Sequence, residues 1–380
     1  MTLDQKFPCV SDMERIAKKR IPKFAYDYLV GGIGDEACLQ SNRSSMADIK
    51  FSPHYLREST DNPDCSHALF GHVYDAPFGV APIGFSGLIW PKSPEHLAVA
   101  AKNHNLPFTL SGFATSSVED IAAAAGTCHW FQIYITKDDD VNQSIIERAG
   151  VAGAEVLVVT VDIPTTTRRG RDMKNGLSVP PHFDWQTICQ IVQRPAWALA
   201  SAAAGVPQFR TFTPYMPVNA SLDSTAEYLA DLVNVPVTQD RLKRFRDLWP
   251  GKLVVKGLLD PSDAQLAKSI GADAIIISNH GGRQLDAALT APQLISQMRE
   301  AVGPEIALLA DGGIRSGLDV ARMMASGADF VLLGRAFMFA MAAMGPKGAD
   351  HVMNVLKAEF EITLAQIGCM RVSDLPKFLI

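Results

Sequence analysis

The chain has no apolar run long enough to cross a bilayer. Its most apolar stretch near the C-terminus, Val331 to Gly345, contains Arg335 and falls short of the ~20 residues a spanning helix needs. The first twenty residues, Met1 to Arg20, mix charge and polarity throughout and lack the apolar centre of an export signal. The six cysteines (Cys9, Cys38, Cys65, Cys128, Cys189 and Cys369) are scattered, with no C-x-x-C pair and no zinc spacing, so neither a disulfide scaffold nor a metal site is expected. Positive charge is not in excess. Lys and Arg number 35 against 40 Asp and Glu, a net charge of -5, and no field favours wrapping a polyanion, which argues against nucleic acid as a partner. The expectation is a cytoplasmic protein, free or held peripherally on the inner face of the membrane.

What the chain does have is 380 residues, 47% of them hydrophobic, enough for one large α/β domain or two ordinary ones. Short apolar runs recur: Pro77–Pro82, Phe108–Ser111, Trp130–Tyr134, Val156–Val161, Leu253–Lys256, Ala274–Ser278, Ile306–Ala310 and Phe330–Leu333. Between most of them lie segments with apolar residues at helical spacing, such as His96–Lys102, Val118–Ala125, Ala264–Ile270 and Leu318–Ala325. The runs do not alternate apolar with polar, as expected of parallel strands covered on both faces. About eight βα units predict a closed (β/α)8 TIM barrel in the α/β class. The rival, an open doubly wound sheet, needs G-x-G-x-x-G after its first strand, and Ala81-Pro82-Ile83-Gly84-Phe85 does not supply it. The chain reads as one domain: a cap over residues 1–70 with a helix at Lys23–Val30, barrel at 71–170 and 250–380, and a long insertion at 171–249 after the fourth strand. Loops that long usually carry function. Within the insertion, Trp185 to Val206 reads as an apolar helical hairpin that either lies on a membrane or packs as a lid.

In such a barrel the C-terminal strand ends share one rim, which would bring together Gln132 and Tyr134, Thr160 and Asp162, Lys256, His280 and Arg283, Asp311, and Gly334 with Arg335. The richest stretch is Ser278-Asn279-His280-Gly281-Gly282-Arg283, where a strand stops at a titratable ring, two glycines and a guanidinium. A single histidine among nine is often structural, but the glycines let substrate or backbone approach closely. Asp162 either orients and raises the basicity of that ring or merely caps the segment after it. Lys256 either binds substrate, forms a Schiff base, stabilises charge on a cofactor ring, or is a solvated strand-end lysine. Asp311-Gly312-Gly313-Ile314-Arg315-Ser316-Gly317, joined by Gly334-Arg335, has the form of the paired phosphate loops after strands seven and eight. With no P-loop lysine motif, a bound phosphorylated cofactor or substrate is expected there, not nucleotide hydrolysis.

From Pro22-Lys23-Phe24-Ala25-Tyr26-Asp27-Tyr28, through Ser278 to Asp286, to Leu364-Ala365-Gln366-Ile367-Gly368, the chain resembles the FMN-dependent 2-hydroxy acid dehydrogenases and oxidases, which include glycolate oxidase, L-lactate dehydrogenase and mandelate dehydrogenase. The resemblance implies His280 as the base that takes a proton from the substrate, with Asp162 stabilising the imidazolium. It implies Arg283 and Arg169, helped by Tyr28, as a clamp on the substrate carboxylate, Tyr134 as the phenol on its 2-hydroxyl, and Lys256 as the cation beside N1 and O2 of FMN. Ser111, Gln132 and Thr160 match positions that bond the isoalloxazine ring, and Ala81, Pro82, Ile83, Gly84, Ser278, Asp311 and Gly312 are counted with them as cofactor-binding. Gly313, Arg315, Gly334 and Arg335 match the phosphate site. Gly84 stands where many oxidases of the family have Ala and membrane-linked dehydrogenases have Gly, which points to a quinone-type electron acceptor over oxygen. Ile83 replaces a common Thr, a departure that leaves one flavin hydrogen bond of the family unassigned. Phe113 and Thr165-Thr166-Thr167 sit where substrate side chains are sorted. A homotetramer is implied as well. Two rivals stay open: another reaction on an FMN barrel, and a metabolite-binding scaffold. Arg169, Tyr28 and Tyr134, suited to a small carboxylate, weigh against the first, and His280, Asp162 and Lys256 against the second.

Overall fold

β-branched residues and leucines, which fit a pleated surface buried on both sides, set eight strands: β1 (Phe78–Val80), β2 (Thr109–Ser111), β3 (His129–Tyr134), β4 (Ala154–Thr160), β5 (Lys252–Leu258), β6 (Ala274–Ile277), β7 (Ala307–Asp311) and β8 (Phe330–Leu333). The structure is a computed structural model that describes residues 2–56, 62–126, 129–177, 184–216, 228, 232 and 235–380. All eight strands are parallel, in the order β1-β8-β7-β6-β5-β4-β3-β2. A parallel bridge from Val80 to Phe108 closes the ring, with the Val80 amide donating to the Pro107 carbonyl at 2.9 Å. Gly79 makes that closure sterically feasible: a Cβ there would lie 2.5 Å from Pro107 Cγ and 2.7 Å from its carbonyl oxygen.

Successive residues of each strand face opposite ways. Trp130, Val156, Val158, Val254, Ile276, Leu309, Phe330 and Leu332 fill the barrel interior, while Leu157, Val159, Val255, Ile275, Leu308 and Val331 pack outward against the helices. Two apolar faces explain why the sequence shows unbroken apolar runs. The ring of helices includes Ser93–Asn103, Val118–Ala125, Asp139–Val151, Gln239–Leu248, Pro261–Ser269, Ala291–Val302, Gly317–Ala325 and Arg335–Met344. Helix Gln239–Leu248 completes the β4 unit, burying Leu242 and Phe245.

The N-terminal segment does two jobs at opposite ends. An antiparallel hairpin, His67–Leu69 and His72–Tyr74, stoppers the N-terminal end of the barrel, with Phe70 against Trp130 (ring centroids 5.7 Å) and Tyr74 against Phe330 (5.5 Å). Helices Lys23–Val30 and Ala37–Asp48 instead reach the C-terminal rim. After β4 the chain forms the short helix Gly170–Lys174 and a helical hairpin, Trp185–Val192 and Pro195–Ala204. Residues 178–183 and most of 217–234 of this insertion lie outside the described residues. Among those described, no helix is long and apolar enough to cross a membrane.

Candidate active site

The strand ends converge as expected. Tyr28, Phe113, Tyr134, Arg169, Lys256, His280, Arg283, Asp311, Arg315 and Arg335 line one cavity of about 1330 Å3, together with the Ala81–Gly84 edge and the glycines 312, 313 and 334. That exceeds the ~300–1,000 Å3 of a site for one small ligand and leaves room for two. Ser111, Gln132, Thr160, Asp162 and Ser278 do not line it; Ser111, Ser278 and Asp162 are hydrogen-bonded to the lining residues Phe113, Lys256 and His280.

His280 sits one residue past the strand extension Ser278-Asn279. Its Nδ1 is 3.1 Å from each Asp162 carboxylate oxygen, so the ring is held by one nitrogen and Nε2 is left for chemistry. Burial pushes the ring's proton affinity below its usual value; Asp162 only partly offsets this, and Lys256 and Arg169 push it lower. Burial would raise the Asp162 carboxyl, but His280 and Lys256 outweigh it and hold it below the ordinary carboxylate value. The pair is therefore a neutral imidazole backed by a carboxylate. His280 adopts a left-handed backbone (φ +57°), followed by Gly281 and Gly282 at +65° and +76°. A non-glycine residue in that region is strained by roughly 1–3 kcal/mol and persists only where its surroundings hold it.

Lys256, at the β5 end, is nearly inaccessible. Its Nζ lies 3.1 Å from Asp311 and donates to Ser278 Oγ at 2.8 Å, and that hydroxyl donates to Asp311 at 2.5 Å and accepts the His280 amide at 3.0 Å. Burial opposes the charge on Lys256, but Asp311 and Asp162 more than restore it. The solvated-lysine reading is thereby excluded. Ser111 donates to Gln132 Oε1 at 2.9 Å, while Gln132 Nε2 and Thr160 Oγ1 are buried with no partner among the described residues. Tyr134, against Phe113 at 4.8 Å, is half-buried, and desolvation with Asp162 pushes its phenol well above the usual value, so it stays protonated.

Five arginines line the cavity: Arg168, Arg169, Arg283, Arg315 and Arg335. Arg283 donates to the carbonyls of Tyr28 and Gly31, both at 2.8 Å, and stacks 4.9 Å from the Tyr28 ring. Arg335 donates to the carbonyls of Leu29, Gly281 and Gly31 at 3.0, 2.8 and 2.9 Å. Burial and Arg169 lower the Arg283 proton affinity to about 10, and burial with Arg43 brings Arg315 to about 10. For Arg335 burial leads, and Arg315, Arg283 and Arg169 add to a large depression. So many half-buried, mutually repelling cations call for anionic ligands. Arg169, whose Nε is buried without a partner among the described residues, stands 3.7 Å from Asp172. The Tyr28 hydroxyl donates to the Gly84 carbonyl at 3.2 Å.

Residues 17–380 match the family of FMN-dependent dehydrogenases. The chain belongs to that family. It is 36% identical over 366 residues to the L-lactate dehydrogenase of Pseudomonas syringae pv. syringae (strain B728a), covering 96% of each chain. It is 37% identical over 368 residues to the L-lactate dehydrogenase of Xanthobacter autotrophicus (strain ATCC BAA-1158 / Py2), covering 97% of this chain and 94% of the relative. Among solved structures, the monotopic membrane protein (S)-mandelate dehydrogenase superposes with a TM-score of 0.94 at 35% identity, over 99% of this chain and all of that one (100%). A mandelate oxidase gives 0.82 at 32%, covering 98% of each.

An FMN-dependent dehydrogenase is an oxidoreductase whose cofactor is FMN, and the donor set fits it. The arginine cluster beside Gly312, Gly313 and Gly334 suits a phosphate; the partnerless Gln132 Nε2 and Thr160 Oγ1 suit the polar edge of a heteroaromatic ring. Ile83 and Gly84 line the cavity, and a Cβ on Gly84 would meet Phe113 Cβ at an ordinary 3.5 Å, so the position is not glycine for want of space.

Several residues of this FMN-dependent dehydrogenase's site were not singled out from sequence. Asp172 lines the cavity beside Arg169; burial raises its carboxyl, with Arg283 and Arg169 opposing. Arg171 forms a two-pronged ion pair with Glu36 (2.6 and 2.5 Å), pinning the Arg169 segment to the N-terminal cap. Phe85 and Phe209, 5.1 Å apart, and Phe113, 5.3 Å from Phe209, make an aromatic wall. The Arg169-Gly170-Arg171-Asp172 charge run was the available signal for the first two; nothing local marks the phenylalanines. Thr165, Thr166 and Thr167 do line the cavity. The hairpin is real and partly unpartnered: Trp185, Ile188 and Val192 on one helix face are 71%, 56% and 71% exposed and Leu199 is 72%, while Trp197 is buried, donating to the Leu88 carbonyl at 3.1 Å.

Proposed function

We propose that this FMN-dependent dehydrogenase oxidises an L-2-hydroxy acid to the 2-keto acid, with His280 as base and a quinone-type electron acceptor. One observation carries it: the Asp162-backed His280 ring faces the same cavity as Arg169 and Arg283. That juxtaposes a proton acceptor and a carboxylate clamp, as R-CHOH-COO⁻ requires. Names of relatives agree, being lactate and mandelate dehydrogenases.

In this reading Arg283 and Arg169 grip the substrate carboxylate by charge-assisted bonds worth ~1.5–3 kcal/mol each, and the Tyr28 hydroxyl turns from Gly84 to assist. Protonated Tyr134 donates to the substrate's 2-oxygen. His280 Nε2 takes a proton, and Asp162 stabilises the imidazolium and fixes the tautomer. FMN, when bound, supplies the two-electron sink. Lys256, kept charged by Asp311, would lie beside the ring's N1 and O2; Ser111, Gln132, Thr160, Ser278 and the Ala81–Gly84 edge would hold the ring, and Gly312, Gly313, Arg315, Gly334 and Arg335 the phosphate. Arg335 spends three of its five N–H donors on carbonyls, which leaves two for a phosphate oxygen.

The exposed apolar face of Trp185–Ala204 supports peripheral contact with a membrane, on its cytoplasmic face, where a lipophilic quinone is at hand. The lid reading is supported only for Trp197. A homotetramer is retained from the family resemblance. Oxygen as acceptor, yielding hydrogen peroxide, is the second reading, favoured by the likeness to a mandelate oxidase. The test is anaerobic bleaching of the visible flavin band across a panel of L-2-hydroxy acids, followed by reoxidation with oxygen or a short-chain quinone. A colourless protein that takes up no FMN, or one bleached by no 2-hydroxy acid, refutes the proposal; faster reoxidation by oxygen moves the enzyme to the second reading.

A further inference from the structure

The strained turn that presents His280 is held by hydrogen bonds from several directions. Ser278 Oγ accepts the His280 amide, the Gly281 carbonyl accepts from Arg335, and the Gly282 carbonyl accepts the Ile33 amide at 3.0 Å. The Gly282 amide donates to Asn279 Oδ1 at 3.1 Å, so the Asn279 side chain caps the turn of its own neighbours. That side chain is in turn fixed by one residue far away in sequence. Asn42, fully buried on helix Ala37–Asp48, donates Nδ2 to Asn279 Oδ1 at 3.0 Å and accepts from Asn279 Nδ2 at 2.9 Å, a reciprocal amide pair; Asn279 Nδ2 also donates to the Leu289 carbonyl at 3.0 Å. With each donor and acceptor assigned, neither amide can flip without leaving a buried group unsatisfied, at roughly 1–3 kcal/mol.

We propose that Asn42 is a positioning residue for catalysis: through Asn279 it holds the left-handed turn at His280–Gly282 and so keeps the imidazole against Asp162 and aimed into the cavity. The proposal rests on His280 being the base. Asn42 itself touches neither that ring nor the reacting atoms. Its backbone has a separate, steric role, since a Cβ on Gly313 would lie 2.3 Å from the Asn42 carbonyl oxygen. The backbone contact survives a side-chain substitution, but the Asn42 amide oxygen itself would lie 3.1 Å from a Cβ on Gly312, so the comparison with and without His280 is what separates the amide's positioning role from the packing of the phosphate loop. Gly282 shows how closely the same helix presses on the turn, for a Cβ there would lie 2.7 Å from the Leu39 amide nitrogen.

The experiment compares four FMN-loaded proteins, wild type, Asn42→Ala, His280→Ala and the double variant, by single-turnover anaerobic flavin bleaching at saturating L-2-hydroxy acid, followed over hours and normalised to bound FMN. Asn42→Ala should bleach about 10-fold or more slowly, since small misplacement of a reacting group costs up to about 10²-fold, while substrate affinity stays near wild type. In the His280→Ala background the second substitution should cost nothing more, because the group it positions is gone. Asn42→Ser, whose hydroxyl can replace one of the two bonds, should fall between, and it substitutes in the cycle if the alanine variant does not fold. A wild-type rate in Asn42→Ala, or an equal loss with and without His280, overturns the inference and makes the amide pair merely structural. Normal bleaching by His280→Ala alone would instead strike the base assignment, a distinguishable failure.

Discussion

Replacing Asp162 by Asn tests the electrostatics of the proposed base. The substitution keeps shape and can keep one hydrogen bond to His280 Nδ1, but removes a unit charge lying 3.1 Å from it. Two unit charges about 4 Å apart at an effective dielectric near 20 interact by about 4 kcal/mol. The imidazolium formed as His280 takes the proton would lose that stabilisation, equivalent to about 10³-fold in rate. The retained hydrogen bond, worth about 1 kcal/mol, trims the loss toward about 10². The sign for pH follows from the same geometry. In the wild type, burial, Lys256 and Arg169 depress the ring and Asp162 opposes them, so kcat/KM should hold down to a pH below the ordinary histidine value of ~6.5 and fall as the ring protonates. Without Asp162 the depressing influences stand alone, and the acid limb should move to still lower pH while the plateau drops. The assay is stopped-flow flavin bleaching across pH with saturating and sub-saturating hydroxy acid. A plateau within fivefold of wild type, or an acid limb moved upward, would refute the reasoning.

Arg283→Lys should raise KM by about tenfold or more with a smaller effect on kcat, because a lysine cannot hold the Tyr28 and Gly31 carbonyls, stack on Tyr28 and still fork a carboxylate; an unchanged KM in steady-state kinetics would remove it from the clamp. Lys256→Met leaves the Asp311 carboxylate buried and unpaired, which should destabilise the fold by about 3–5 kcal/mol, and Lys256→Met/Asp311→Asn should recover most of that in thermal melts of the FMN-free proteins; no difference between single and double variants would show that the pair is not coupled. Serine at Trp185, Ile188 and Val192 together should weaken binding to phospholipid vesicles by about 10³-fold or more, at ~1.5–3 kcal/mol per large apolar side chain, with flavin bleaching unchanged; equal vesicle binding by the triple variant would leave that face without a membrane role.

Much of this architecture could be read directly from the chain. A strand buried on both faces needs unbroken apolar residues, so Ala274–Ile277 and Phe330–Leu333 announced themselves, and their eightfold recurrence gave the barrel. Because parallel strands of a barrel end on one rim, His280, Asp162, Lys256, Arg283 and Arg335 could be assigned to that rim before any distance was known, whereas Arg169 entered only through the family resemblance. The hairpin His67–Tyr74 escaped notice because three-residue strands carry little periodic signal, and its role as a stopper depends on Trp130 and Phe330, far along the chain.

Residue order alone thus determined the repeat of strands and helices and the chemical types gathered at their ends, since both follow from short-range spacing. Tertiary packing decided what those groups became: that Asn42 locks Asn279, that Arg335 is tied to three backbone carbonyls, that Asp172 faces Arg169, and that His280 is neutral while Lys256 is charged. Each of these depends on burial and on partners dozens to hundreds of residues away, quantities that no local pattern encodes.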